Sequence, residues 1–325
     1  MTLKATSLAS KIVLNDGVEM PMFGLGLYMS ASGQGKAAEK AVIHAVQNNY
    51  RLLDTAQFYG NEADVGRAVK KSGVDRKDLF IVTKVWENGE ARCKEVFNES
   101  MKKLDLGYID LYLIHSPSAG KNVETYKTLL DFKSKGLIRS VGVSNYGVQH
   151  LEGLKDAGLL TPSVNQIELH PWQQKKHIVK YCRENGIAVM GYSPMAKGQK
   201  LKDPTLGKIA QKYNKTPAQV MIRWSVQMGF ITIPKSVNLD RIIENADVFD
   251  WSIDEEDMTI LSAYEIQSVL CRLWQADACY HPEESDPKIE ENMQVVGALS
   301  ALKRFGQSYI YVMESSRHSQ SESSS

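Results

Sequence analysis

The chain has 325 residues, with 39 basic and 38 acidic side chains and a formal net charge of +1. Near-neutrality gives no bulk attraction to nucleic acid or an anionic membrane, and no apolar run approaches the ~18–20 residues that cross a bilayer. At 43% apolar and 24% charged residues, the composition is that of a soluble globular protein large enough for one big domain or two smaller ones.

The N-terminal stretch MTLKATSLASKIVLNDG lacks the apolar segment of a secretory signal. Residues 1–10 carry only a weak transit-like character. A hairpin is expected where Asp16-Gly17 separates two short apolar runs. A regular alternation then begins. Strand-like runs fall at 23–27, 51–53, 79–84, 109–115, 138–143, 163–168, 187–192 and 230–233. Helical periodicity fills the gaps at 36–48, 62–72, 91–104, 122–135, 147–157, 173–185, 204–213 with 217–228, and 239–247. Several strands are near-continuous apolar runs, as in a buried parallel sheet. Eight βα units in sequence predict an α/β fold of the (β/α)8 TIM-barrel type over residues 1–263, preceded by the hairpin.

A doubly wound dinucleotide-binding sheet is the rival. Its G-x-G-x-x-G fingerprint is incomplete, because Gly24 and Gly26 are followed by Met29. The C-terminal part changes character. A short helix is expected at 254–263, and the pattern loosens after Tyr264. Residues 264–313 read as an atypical extension with a further amphipathic helix at 296–313, and 314–325 as a disordered tail. Cysteines occur at 93, 182, 271 and 279 without a CxxC, so neither a metal site nor a disulfide framework is expected, and a reducing, cytoplasmic setting fits.

Four polar residues sit at strand mouths: Asp54, Lys84 and His115 at strand ends, and Tyr59 in the loop after Asp54. Barrel chemistry collects at the C-terminal ends of strands. Singly, each has a plain reading: a helix cap, a core histidine, a rim tyrosine. Lys84 resists one, because it lies inside an apolar run and a buried ammonium needs a partner. Asp54 is the natural candidate. The cation is then expected to ease proton release from Tyr59 as general acid, while His115 orients a carbonyl oxygen.

The motifs LNDGVEMPMFGLGLY (14–28), DTAQFYGNEADVGRAV (54–69), DLFIVTKVW (78–86), SMKKLDLGYIDLYLIHSP (100–117), GLIRSVGVSNY (136–146), NQIELHPW (165–172), GIAVMGYSPM (186–195) and IPKSVNLDRIIEN (233–245) together resemble the aldo-keto reductase superfamily. The resemblance implies a barrel closed below by the hairpin and the reduction of aldehydes and ketones with NADPH. It implies a catalytic tetrad of Asp54, Tyr59, Lys84 and His115. It places Ser144, Asn145 and Gln166 on the nicotinamide carboxamide, Tyr192 on its ring, and Ser193 and Met195 in the loop beside the pyrophosphate. Lys235, Ser236 and Arg241 are implied to hold the 2′-phosphate, and Glu244 and Asn245 the adenine. Guanidinium and ammonium suit a compact dianion, which favours NADPH over NADH.

Tyr28, Phe58 and Trp86 are implied as pocket walls. Ser116 departs from an aromatic residue common after the tetrad histidine, and is expected to widen or polarise the pocket. The short loop that follows implies an open site for small or varied aldehydes, α-dicarbonyls and keto esters. Small carbonyl compounds are the expected partners, with a monomer as the simplest state. Two other readings stand beside reduction: a non-catalytic NADPH-binding sensor or structural barrel, and an NADP-linked alcohol dehydrogenase working in the oxidative direction.

Overall fold

The computed structural model describes residues 5–28, 30 and 37–274. The expected helix at 296–313 and the tail at 314–325 lie outside the described residues, as do the first four residues of the transit-like stretch. No helix among the described residues is long and apolar enough to cross a membrane.

Strands β1 (Lys11–Val13) and β2 (Glu19–Pro21) form the expected antiparallel hairpin. Gly17, at φ 83°, makes the turn that Asp16-Gly17 announces. The turn is pinned to its surroundings. Asp16 Oδ2 accepts from Lys133 Nζ and from Ser140 Oγ, the latter at 2.8 Å, and Asn15 Nδ2 donates to Pro162 O at 3.0 Å. Ser140 lies in the N-terminal half of the strand Ile138–Ser144 and Pro162 just before the strand Val164–Glu168, so the hairpin covers the N-terminal end of the barrel.

Eight strands follow: β3 (Gly24–Gly26), β4 (Leu52–Asp54), β5 (Phe80–Val85), β6 (Ile109–Ile114), β7 (Ile138–Ser144), β8 (Val164–Glu168), β9 (Ala188–Tyr192) and β10 (Ile231–Ile233). They form one parallel sheet in chain order. Bridges Phe23↔Thr232 and Gly26↔Lys235 bring its two edges together, so the sheet is a nearly closed barrel. Gly26 permits this approach, since a Cβ there would lie 2.9 Å from the Ile233 carbonyl oxygen.

Helices α1 (Ala37–Gln47), α2 (Glu62–Lys71), α3 (Glu90–Leu104), α4 (Asn122–Ser134), α5 (Val148–Asp156), α6 (Lys176–Glu184), α7 (Pro204–Lys212) and α8 (Pro217–Gln227) occupy the gaps between strands, and α9 (Leu239–Ala246) follows β10. The last helix, α10 (Glu255–Trp274), runs further than the expected 254–263. The sequence has no Gly or Pro between 255 and 274 to stop it.

Strand alternation sorts the side chains into two cores. Phe80, Val82, Leu111, Leu113 and Met190 fill the barrel interior, while Ile81, Tyr112 and Ile114 pack outward against the helices. Lys84 shares the parity of Phe80 and Val82, which aims it into the barrel. Thr83 points the other way and donates to Glu62 Oε1 at 2.7 Å.

Candidate active site

The four strand-mouth residues meet. Lys84 is fully buried and Asp54 is 2% exposed. The lysine Nζ donates to both carboxylate oxygens of Asp54 and to the Thr55 carbonyl, each at 2.8 Å, and lies 3.3 Å from the Tyr59 hydroxyl. Three short contacts to acceptors match the three N–H donors of an ammonium, with Asp54 as its carboxylate partner. Burial pulls both toward neutrality, raising Asp54 and lowering Lys84, and their contact opposes that.

Tyr59 ends a short 3-10 turn (Gln57–Tyr59) closed by Gly60 at φ 67°. Asn61 braces this loop from beneath. Its Oδ1 accepts from Thr55 Oγ1 at 2.5 Å and its Nδ2 donates to Leu27 O at 2.9 Å. The expectation that Lys84 would acidify Tyr59 needs revision for the free protein. Burial pushes the phenol well above its ordinary value, and the Asp54 charge pushes the same way. The lysine charge is already matched by Asp54. Tyr59 is therefore held protonated, the state a proton donor needs.

His115 faces this group across an aromatic frame, with ring centroids 5.7 Å from Tyr59 and 5.0 Å from Trp86. Burial, then the Lys84 charge, depresses it to about 3. The imidazole is neutral at physiological pH, so it can donate or accept one hydrogen bond without carrying charge.

These residues open onto a cleft of about 980 Å³ across the C-terminal ends of the strands. Its far side is formed by the start of α9, where Asn238 caps the helix by accepting from Arg241 N at 2.9 Å. Lys235, Ser236, Arg241, Glu244 and Asn245 line that side, and Ser144, Asn145, Gln166, Tyr192, Ser193 and Met195 line the middle. Neither Lys235 nor Arg241 forms an ion pair among the described residues. Glu244 is already oriented, since its Oε1 accepts from Thr216 Oγ1 at 2.7 Å.

A sequence profile described as the aldo/keto reductase family matches residues 23–266. The chain belongs to the aldo/keto reductase family. Curated relatives of similar sequence include glyoxal reductase of Bacillus subtilis (strain 168), 44% identical over 260 residues that span 79% of this chain and 94% of that protein. The 9,11-endoperoxide prostaglandin H2 reductase of Trypanosoma cruzi is 42% identical over 252 residues, 76% of this chain and 88% of that one. Among solved structures, the aldo-keto reductase of Bombyx mori in complex with NADP aligns with a TM-score of 0.74 at 35% identity, covering 80% of this chain and 94% of that one.

In this aldo/keto reductase, three aromatic residues expected as pocket walls stand at the cleft mouth. Phe58 stacks on Trp86 with centroids 4.6 Å apart, and Tyr28 meets Tyr59 edge-on at 5.1 Å. All three remain substantially exposed, at 56% for Phe58, 48% for Tyr28 and 40% for Trp86. Ser116 behaves differently. It is not among the cleft-lining residues. Its hydroxyl caps the turn Pro117–Ala119, accepting from Ser118 N at 3.2 Å and pairing with Ser118 Oγ at 2.8 Å. Asn165, next to Gln166, is wholly buried and donates to Tyr146 O at 2.9 Å, a bond internal to the frame.

Other cleft residues were not singled out from sequence: Lys197, Leu201, Thr216, Pro217 and Val237. The loop carrying the first two takes a left-handed backbone at Ser193, Ala196 and Lys197, with φ of 49°, 48° and 54°. Non-glycine residues rarely adopt such angles, and strain of this kind clusters at functional sites. Lys197 Nζ donates to Glu168 Oε2 at 3.3 Å, which ties the loop to the end of β8. The resemblance of residues 186–195 implies Ser193 and Met195 of this loop, whereas Lys197 and Leu201 carry no sequence signal beyond their position after a strand.

Proposed function

We propose that this protein reduces aldehydes and ketones to alcohols with NADPH, Tyr59 giving the proton to the carbonyl oxygen. The observation that carries the reading is one cleft with a buried lysine–carboxylate pair under a protonated tyrosine at one end and two cations without an ion pair among the described residues at the other. Lys235 and Arg241 suit a phosphate dianion. Ser144, Asn145 and Gln166 supply polar groups for a carboxamide, and Tyr192 an aromatic face. The nicotinamide, when bound, supplies the hydride.

The remaining work falls to the chain. The neutral His115 orients the carbonyl oxygen without competing as an acid. Tyr59 transfers its proton as negative charge develops on that oxygen, and the phenolate left behind is stabilised by Lys84 3.3 Å away. Asp54 keeps Lys84 charged and aimed. The exposed aromatic mouth suits small and varied carbonyl substrates, consistent with the name of the Bacillus subtilis relative.

The test is NADPH consumption with a panel of glyoxal, methylglyoxal, aromatic aldehydes and a keto ester. Carbonyl-dependent oxidation of NADPH supports the reading. Tight NADPH binding with no turnover on any carbonyl would favour the sensor or structural barrel instead.

A further inference from the structure

Gln166 does something in this structure that a cofactor contact alone does not require. Its side chain is buried, at 1% exposure, and lines the cleft. Its Nε2 donates to Asp54 Oδ2 at 2.7 Å and contacts Met190 Sδ at 3.1 Å. Both partners are acceptors, so both amide protons are committed inside the barrel. As the carboxylate partner of the Lys84 ammonium, Asp54 can be met only by a donor. The opposite rotamer would set Oε1 against a carboxylate oxygen, two acceptors in contact, which a buried site does not tolerate.

The carboxylate therefore fixes which way round the amide sits. Oε1 is the atom left over, and it has no hydrogen-bond partner among the described residues. Its neighbours are already engaged. Ser144 Oγ donates to Gln166 O at 2.9 Å, Asn145 Nδ2 donates to His115 O at 3.0 Å, and Asn145 Oδ1 accepts from Tyr192 Oη at 3.0 Å.

We infer that Gln166 is a positioning residue linking two parts of the site: Asp54 orients its amide so that it offers the cleft an acceptor only. The cofactor carboxamide is then read through its NH2 group, and the same amide holds Asp54 against Lys84 beneath Tyr59. This rests on the NADPH reading above and deepens it. Occupancy of the carboxamide position and the geometry of the proton-donating group become coupled through one side chain.

The test compares binding of NADP+, its thionicotinamide analogue, which keeps the NH2, and its 3-acetylpyridine analogue, which replaces NH2 by methyl. Quenching of protein fluorescence gives each Kd without turnover. In the unaltered protein the thio analogue should track NADP+, while the acetyl analogue should bind ~tenfold more weakly, the worth of about one hydrogen bond. Asn at 54 offers a donor as well as an acceptor, so Asp54→Asn frees the amide to turn. The acetyl penalty should then fall below ~threefold, and Gln166→Leu should show the same small ratio. Because each variant is read as a ratio of two ligands, a general loss of affinity does not mimic the effect.

A variant-independent measurement is hydrogen exchange of the Gln166 side-chain amide in glutamine-labelled protein, assigned by its absence from Gln166→Leu. Strong protection is expected, and exchange as fast as that of exposed glutamines overturns the inference. An acetyl penalty that persists in Asp54→Asn also overturns it, as does the absence of any penalty in the unaltered protein. Failure of NADP+ itself to bind the unaltered protein would instead refute the function on which the inference rests.

Discussion

Replacing Lys84 by methionine tests the buried pair at the heart of the site. The substitution keeps the length and much of the volume of the side chain but removes the ammonium. Lys84 is fully buried, Asp54 is 2% exposed, and among the described residues the Asp54 carboxylate would keep only the Gln166 side-chain amide as a side-chain donor. Two estimates of the cost agree. Breaking one half of a buried ion pair costs about 3–5 kcal/mol. Alternatively, Asp54 takes up a proton. Holding an aspartic acid neutral at pH 7 against an unfolded value near 3.9 costs about 1.36 kcal/mol per unit over about three units, or ~4 kcal/mol.

The second route carries a pH signature. The cost should shrink by ~1.4 kcal/mol for each unit that pH falls, and vanish near pH 4, where the unfolded chain is protonated as well. Urea unfolding of both proteins at several pH values measures the gap directly. The double change Asp54→Asn with Lys84→Met should recover most of the loss, since it leaves no unpaired charge. A gap below ~1 kcal/mol at pH 7, or one independent of pH, would show that the pair is not the buried, mutually dependent unit described here.

His115 should make its own mark on acid stability. Its folded value of about 3 lies below the ordinary one of ~6.5, so the unfolded chain binds the extra proton between those limits. The stability that neutral His115 contributes is complete above about pH 6.5 and is lost as pH falls toward 3. His115→Asn should flatten that part of the stability profile, and an unchanged profile would argue against a buried neutral imidazole. Arg241→Ala should weaken NADPH by ~10–100-fold, the worth of about 1.5–3 kcal/mol for a charged hydrogen bond, and leave NADH nearly unaffected. Equal losses for both cofactors in a binding titration would remove Arg241 from the phosphate site. Gly66→Ala should destabilise by ~1–3 kcal/mol in urea unfolding, because its Cβ would clash with the Leu104 carbonyl oxygen at the end of α3. Unchanged stability would mean that α2 and α3 are not packed as described.

The parts of this protein legible in its sequence are those set by local rules. Strand positions followed from apolar runs, and the hairpin from Asp16-Gly17. The inward aim of Lys84 follows from its even spacing, two residues from Val82 and four from Phe80. The helix at 255–274 outruns the expected 254–263 because the loosening pattern after Tyr264 holds no breaker residue. Ser116 could not be placed from sequence, because its hydroxyl is turned aside by Ser118, two residues away. The orientation of Gln166 was equally hidden, since it depends on Asp54, 112 positions distant in the chain. Lys197 and Leu201 reach the cleft through a left-handed stretch of backbone that no spacing rule announces.

The most direct test of the central claim is Tyr59→Phe, with carbonyl reduction and NADPH affinity measured on the same preparation. The change removes one hydroxyl and leaves the ring that meets Tyr28 and His115. Turnover should fall by at least ~10²–10⁴-fold, the usual worth of a positioned general acid, while the NADPH Kd stays within about threefold. Retained turnover, or turnover and binding lost together, would contradict the assignment of Tyr59 as the proton donor.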